Sequence, residues 1–371
     1  MKITCDETGT PESLAVLLAQ LDGDPAVGGI LILACDDNHF TPAAVDPALR
    51  ATQKPVFGGV FPQIIHGQKC LTRGTIVVGL PMAPQVLLLD GVSQPERDFD
   101  AVLDTATQGL SVAEGKTMFI FVDGLATRIG ALIDALFNTF GLRINYLGGG
   151  CGSLSFVPKP CVMGNQGLVQ DAAVLAVIDA PSGIGVAHGW QPVSEGFKVT
   201  ESTGNVIHTL DWRPAYPVYK EIVESHSGLR FDDSNFFSIA KGYPFGIAKL
   251  DAEMVVRDPI MTQNESLVCV GEVPQGTFVR ILNGNQDSLL SAAARAHDLA
   301  KEALGSHPAQ IEVFVDCISR FLFLEENFDL ELNAAKDAQL PVVGALTLGE
   351  IANNGNDYLE FYNKTAVVGL I

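Results

Sequence analysis

Short, unbroken apolar runs separated by polar corners and glycine clusters dominate the chain, and one order of them is written three times. Each copy has an apolar strand, a polar corner, a helix-like stretch, a second strand running into glycine, and a downstream strand that closes it. The first begins at Gly29-Ile-Leu-Ile-Leu-Ala-Cys35, reaches Pro55-Val-Phe-Gly-Gly59 and closes with Thr75-Ile-Val-Val-Gly-Leu80. The second runs from Thr117-Met-Phe-Ile-Phe-Val-Asp123 to Ile144-Asn-Tyr-Leu-Gly-Gly-Gly150 and closes with Ala173-Val-Leu-Ala-Val-Ile178. The third runs from Ile311-Glu-Val-Phe-Val-Asp-Cys317 to Pro341-Val-Val-Gly-Ala345 and closes with Thr365-Ala-Val-Val-Gly-Leu-Ile371. From corner to first glycine the separations are 23 (35 to 58), 25 (123 to 148) and 28 (316 to 344) residues. Strands that are apolar throughout are covered on both faces, so each copy predicts a β-α-β element in a sheet flanked by helices.

The helix of the second copy is the clearest, with Ile129, Leu132, Ile133, Leu136, Phe137 and Phe140 at three-and-four spacing and Gly141 where a helix stop belongs. The third copy has an added helix over 289–304, ended by Gly305 and Pro308. Between the second and third copies the texture changes. Gly185-Val-Ala-His-Gly-Trp190, Phe197-Lys-Val-Thr200 and Val206-Ile-His-Thr-Leu210 read as short strands, the last two joined by Thr203-Gly-Asn205. A helix is expected over 214–225 and a hairpin over 268–281 around Pro274-Gln-Gly276. Trp190 and Trp212 read as core or pocket wall. A chain of 371 residues is too long for one ordinary core. Ala180-Pro-Ser-Gly183 interrupts the apolar pattern, which divides the chain into 1–184 and 185–371. The fold class is α/β (mixed α+β): two related halves, with mixed sheets covered by helices and internal β-α-β repeats.

Composition and charge narrow the partners. With 47% apolar and 18% charged residues the chain is globular, not disordered. The 23 Lys and Arg against 43 Asp and Glu leave a net charge of −20, which repels a phosphate backbone and an anionic lipid surface. Neither nucleic acid nor membrane is expected as a partner. No apolar run approaches the ~20 residues of a membrane span, and the first residues lack the order of a signal peptide. Seven scattered cysteines without a CxxC pair predict reduced thiols and a cytoplasmic protein.

Several stretches resemble the FIST sensory domain in its N-terminal and C-terminal parts. They are Pro55-Val-Phe-Gly-Gly59, the helix ending at Gly141, Leu147-Gly-Gly-Gly150, Val199-Thr200, Gly204-Asn205 and Leu210-Asp211. Further on come Tyr243-Pro-Phe-Gly246, Val256-Arg257-Asp258, Asp316-Cys-Ile-Ser-Arg320, Gly349-Glu350-Ile351 and Asn363-Lys-Thr365. The chain departs from the family's polar turn after the first glycine cluster, having Val60-Phe61-Pro62 instead. The resemblance implies a ligand-sensing module of intracellular signal transduction, with amino acids as the ligand class. No output domain fits in the chain, so signalling would pass through a separate protein.

The corner Asp316-Cys317-Ile318-Ser319-Arg320 is the leading candidate site, because ligands collect at the C-terminal ends of strands in α/β sheets. Arg320 grips a carboxylate through two parallel hydrogen bonds, and Glu350 suits an ammonium group. The competing reading is that Arg320 and Glu350 pair with each other as a structural ion pair. Arg257, closing an apolar strand, offers a second anion contact or a local pair with Asp258 or Asp251. The corner of Gly149, Gly150 and Cys151 offers backbone N–H groups to an anion, or simply lets another backbone approach. It matches neither a P-loop nor a dinucleotide fingerprint, and no cofactor is expected. Cys35-Asp-Asp-Asn-His39 is the densest set of potential metal ligands and reads as a solvated corner, so no metal is expected either. The chain reads as a binding protein more than an enzyme; the alternative is a thiol-dependent hydrolase or transferase using Cys317 or Cys151.

Overall fold

The computed structural model describes residues 1–107, 115–232, 234–249, 253–335, 339–353, 355 and 358–371. In all three copies the first strand lies parallel to the second and antiparallel to the closing strand. Gly29–Cys35 sits between Val56–Phe61 and Thr75–Leu80. Lys116–Asp123 sits between Ile144–Cys151 and Ala172–Ile178. Glu312–Cys317 sits between Val342–Thr347 and Ala366–Leu370. Beyond each closing strand a further antiparallel strand is added: Lys2–Asp6, Gln85–Asp90 and Gly183–Ala187 respectively. The three sheets are therefore copies of one unit. The first two units come before the Gly183–Ala187 strand, which already belongs to the third.

The far side of each sheet is completed by a hairpin from a different unit. After its second strand the first unit sends Gln63–His66 and Lys69–Leu71 to pair with Val342–Thr347 of the third. The second sends Val162–Gly164 and Gly167–Val169 to Val56–Phe61 of the first. The third sends Glu350–Ala352 and Glu360–Tyr362 to Ile144–Cys151 of the second. The exchange runs in one direction round the three units and closes on itself.

Both faces of these sheets are covered, which explains the unbroken apolar runs. Phe119 and Phe121 point to a core shared by all three sheets, with Val313, Val315, Val343 and Val367 of the third unit. Met118, Ile120 and Val122, on the other face, pack under Leu132, Ile133 and Leu136 of the Ile129–Phe140 helix. Phe314 likewise faces the Gln286–Leu304 helix. At an equivalent place in each unit the second strand has a glycine in register with the first: Gly58 with Ile32, Gly148 with Ile120, Gly344 with Phe314. A Cβ there would stand 1.9, 1.8 and 1.8 Å from the partner's carbonyl oxygen. The near-equal glycine spacing in the sequence marks this close approach.

Residues 188–285 form an insertion in the third unit. Phe278–Asn283, Phe197–Thr203, Val206–Leu210, Ser266–Val270, Val255–Gln263 and Phe245–Ile247 pair in that order, and the last returns to the first, closing a barrel. The hairpin expected over 268–281 is not formed. Ser266–Val270 instead pairs with Val255–Gln263 through a two-residue turn at Asn264 (φ 47°) and Glu265 (φ 63°), a left-handed pair without the glycine that usually marks it. Trp190 is buried, but Trp212 is 79% exposed, at the left-handed turn Asp211-Trp212, and belongs neither to the core nor to a pocket wall. The helix expected over 214–225 is Ala215–Ser227. No helix among the described residues is long and apolar enough to cross a membrane.

Candidate functional site

The Asp316–Arg320 corner turns directly from the Glu312–Cys317 strand into the Ile318–Leu324 helix, and its polar groups point inward. Arg320 is fully buried with all three nitrogens engaged. Nε donates to Glu331 Oε1 (2.9 Å) and lies 3.1 Å from Asp316 Oδ1. Nη1 donates to the carbonyls of His188 (2.6 Å) and Lys364 (3.3 Å), and Nη2 to Leu289 O (3.1 Å) and Glu331. Its partners are thus Glu331 and Asp316, with Glu350 a more distant charge. Burial, and then the Glu331 charge, push the Asp316 carboxyl well above the usual carboxylate range. Next to this cluster lies Lys364, also fully buried and in a left-handed conformation (φ 52°). It pairs with Asp258 (3.1 Å), donates to Lys241 O (2.8 Å) and stands over the Trp190 ring at 5.0 Å.

Glu350 closes the same knot from the exchanged hairpin. Its Oε1 accepts from the Thr347 hydroxyl (3.0 Å) and Oε2 from the Thr365 N–H (3.3 Å). Burial pushes it up from an ordinary 4.5 to about 8. A carboxyl raised in the folded state contributes stability that is fully present below its unfolded value and lost as pH climbs through the folded one. Glu350→Gln is therefore expected to gain on the wild type as pH rises from about 5 to about 9, in urea midpoints taken at both ends. Parallel pH profiles for the two proteins would show that Glu350 does not titrate in this window.

Gly149 is the register partner of Glu350, and Gly150 donates to Gly349 O (2.8 Å) while accepting from Leu348 N (2.9 Å). The glycine corner therefore admits the incoming backbone at 348–350. Cys151 is fully buried, and Cys317 is nearly so, with its Sγ 3.0 Å from Ser319 Oγ. Burial pushes both thiols up, away from the thiolate that nucleophilic chemistry needs. Of the residues singled out in the sequence, Asp316, Cys317, Ser319, Arg320, Glu350, Gly149, Gly150 and Cys151 gather where the second and third units join. The Asp36–Asn38 corner of the first unit is a single turn, in which Asn38 bridges to Gly74.

Arg257 stands apart, on the other side of the 361–365 segment. Its Nε donates to Glu272 O (2.9 Å), and Nη1 to Val256 O (3.0 Å), Phe361 O (2.9 Å) and Asn363 Oδ1 (3.5 Å). Nη2 makes no hydrogen bond among the described residues. The side chain lies against Gly271, whose φ of 82° suits glycine; a Cβ there would come within 3.0 Å of Nε and 3.3 Å of Cζ. Arg257 lines a cleft of about 400 Å³ between the start of the Ile129–Phe140 helix, one end of the barrel and the exchanged hairpin. None of the eight gathered residues lines it. Lys249 and Glu360 form an ion pair on its wall, and Glu272 adds a second carboxylate. Lys249, Glu272 and Glu360 on the wall, and Glu331 in the knot, carry no local motif. Lys364 had one cue: a lysine placed directly before an apolar closing strand.

Family models decide the relationship: the FIST N domain matches residues 29–213 and the FIST C domain residues 215–353. The chain belongs to the FIST family. FIST domains are sensory, ligand-binding domains of signal transduction. Of the stretches that resemble the FIST domain, 147–150, 316–320, 349–351 and 363–365 meet in the buried knot. Among curated proteins, an uncharacterized protein of Methanocaldococcus jannaschii is 21% identical over 278 residues, 68% of this chain and 53% of the relative. The FIST chain thus spans about half the length of the curated relative it matches.

Proposed function

We propose that this FIST protein is a cytoplasmic receptor for a small polar metabolite, most simply an amino acid, and that it reports occupancy to a separate signalling protein. The observation that carries this reading is the cleft of about 400 Å³ with a buried guanidinium on its wall whose Nη2 makes no hydrogen bond among the described residues. A ligand carboxylate would satisfy that nitrogen, and Glu360 supplies the opposite charge for an ammonium group. The two parts of the chain, 1–184 and 185–371, act as one binding body here, since the first supplies Gly130 and the second Arg257. The buried thiols count against the hydrolase or transferase reading.

A thermal-shift screen against the common amino acids tests the proposal. A ligand at a thousand times its Kd adds about 4 kcal/mol to the folded state. Arg257→Gln is expected to lose that response while its ligand-free melting stays cooperative. A variant that responds to the same amino acid as strongly as the wild type would move the site elsewhere.

A further inference from the structure

We infer that the cleft is a carboxylate seat guarded by a side chain of the protein itself, that of Glu272, whose charge an organic acid must overcome in order to bind. The inference rests on the reading of the cleft as a ligand site and adds what is recognised there and what competes for it.

The seat has two independent parts. One is the start of the Ile129–Phe140 helix, where Arg128 at the cap makes no side-chain capping bond and the first intrahelical bond runs from Leu132 N to Arg128 O. The N–H groups before Leu132 thus have no helical acceptor, and the helix dipole favours negative charge there. The other is Arg257, 8% exposed, lining the same cleft with no hydrogen bond to its Nη2 among the described residues. Glu272 is placed with respect to both. Its Oε2 lies 3.4 Å from where a Cβ on Gly130 would stand, directly over the helix's first turn. Its backbone carbonyl accepts from Arg257 Nε at 2.9 Å, and its charge is among those acting on the guanidinium. Because Gly130 has no side chain, the helix start is open to a carboxylate, and Gly271 leaves the guanidinium room to lie opposite.

An incoming carboxylate would take the helix N–H groups and the guanidinium, neither of which hydrogen-bonds the Glu272 side chain among the described residues, and the nearby Glu272 charge repels it. The seat therefore favours acids over amines, and Glu272 lowers its affinity for them. Removing the charge while keeping the shape, as in Glu272→Gln, raises carboxylate affinity by about tenfold. Gly130→Ala fills the notch at a helical position where alanine is well tolerated, so it lowers carboxylate affinity without unfolding the protein.

Calorimetric titration of the full chain with glycine, succinate, inorganic phosphate and ethylamine tests this. The expected result is binding of glycine and succinate, tighter to Glu272→Gln, weaker to Gly130→Ala, and none of ethylamine. Unchanged or weaker binding to Glu272→Gln overturns the inference, as does ethylamine binding as well as glycine. Phosphate bound in preference to both acids, with the same response to the two variants, overturns the carboxylate assignment. Binding that ignores Glu272 yet disappears in Arg257→Gln leaves the receptor reading standing and removes this one. If no probe binds the wild type or any variant, both fall.

Discussion

Arg320→Ala is expected to lower the stability of the fold by about 3–5 kcal/mol, the cost of stranding buried charge. The arginine sits between Asp316 and Glu331, both fully buried, and Asp316 Oδ2 and Glu331 Oε2 are already without partners among the described residues. Without the guanidinium the two carboxyl groups face each other in a low-dielectric interior and must take up protons to remain there. The loss is therefore expected to be greatest at alkaline pH and to shrink as the pH falls, since protonation removes the charges that lost their partner. Urea unfolding at two pH values measures both the size and the sign. Restoring apolar packing by changing Arg320, Asp316 and Glu331 together to hydrophobic residues of similar volume is expected to recover much of the loss. A single variant with an unchanged midpoint would mean that the knot contributes nothing.

Gly148→Ala is expected to be the second most damaging change, at about 3 kcal/mol. The new methyl group would lie 1.8 Å from Ile120 O, a backbone atom in the middle of a sheet buried on both faces. Unlike a side-chain neighbour, that carbonyl cannot rotate away without pulling Lys116–Asp123 out of register. The same change at Gly141, where nothing stands within 4 Å but φ is 57°, strains only the local backbone and is expected to cost about 1 kcal/mol. Thermal unfolding of the two variants side by side separates steric from conformational cost. A Gly148→Ala protein as stable as Gly141→Ala would show that the parallel strands can part there.

The three units were legible because a strand covered on both faces has to be apolar throughout, and because Gly58, Gly148 and Gly344 punctuate each copy at a matching place. The Ile129–Phe140 helix, with its stop at Gly141, was legible for the same local reason. The exchange of hairpins was not. Strands as short as Gln63–His66 and Glu350–Ala352 carry little pattern, and nothing local says that their partners lie hundreds of residues away. The barrel was misread at 268–281 because Asn264 and Glu265 make their left-handed turn without glycine. In the site, Asp316, Arg320 and Glu350 stood out as charges in apolar surroundings, which marks burial but does not separate ligand contact from scaffolding. Arg257 stood out for the same reason. Glu272, Gly271, Glu360 and Gly130 did not, since the cleft exists only where a helix start, one end of the barrel and an exchanged hairpin come together.

The one-way exchange of hairpins is the arrangement that three separate chains would make as a swapped ring. A single unit on its own would carry an unpaired hairpin and a sheet with an open edge, and two units would leave one edge over. Three in a ring give every exchanged hairpin a strand to pair with, as closed cyclic symmetry requires. An isolated unit is therefore a protomer without its partners: excised, it would seek two copies of itself or aggregate through the exposed edge. Nicking the chain between units should, by contrast, leave a ring that stays assembled.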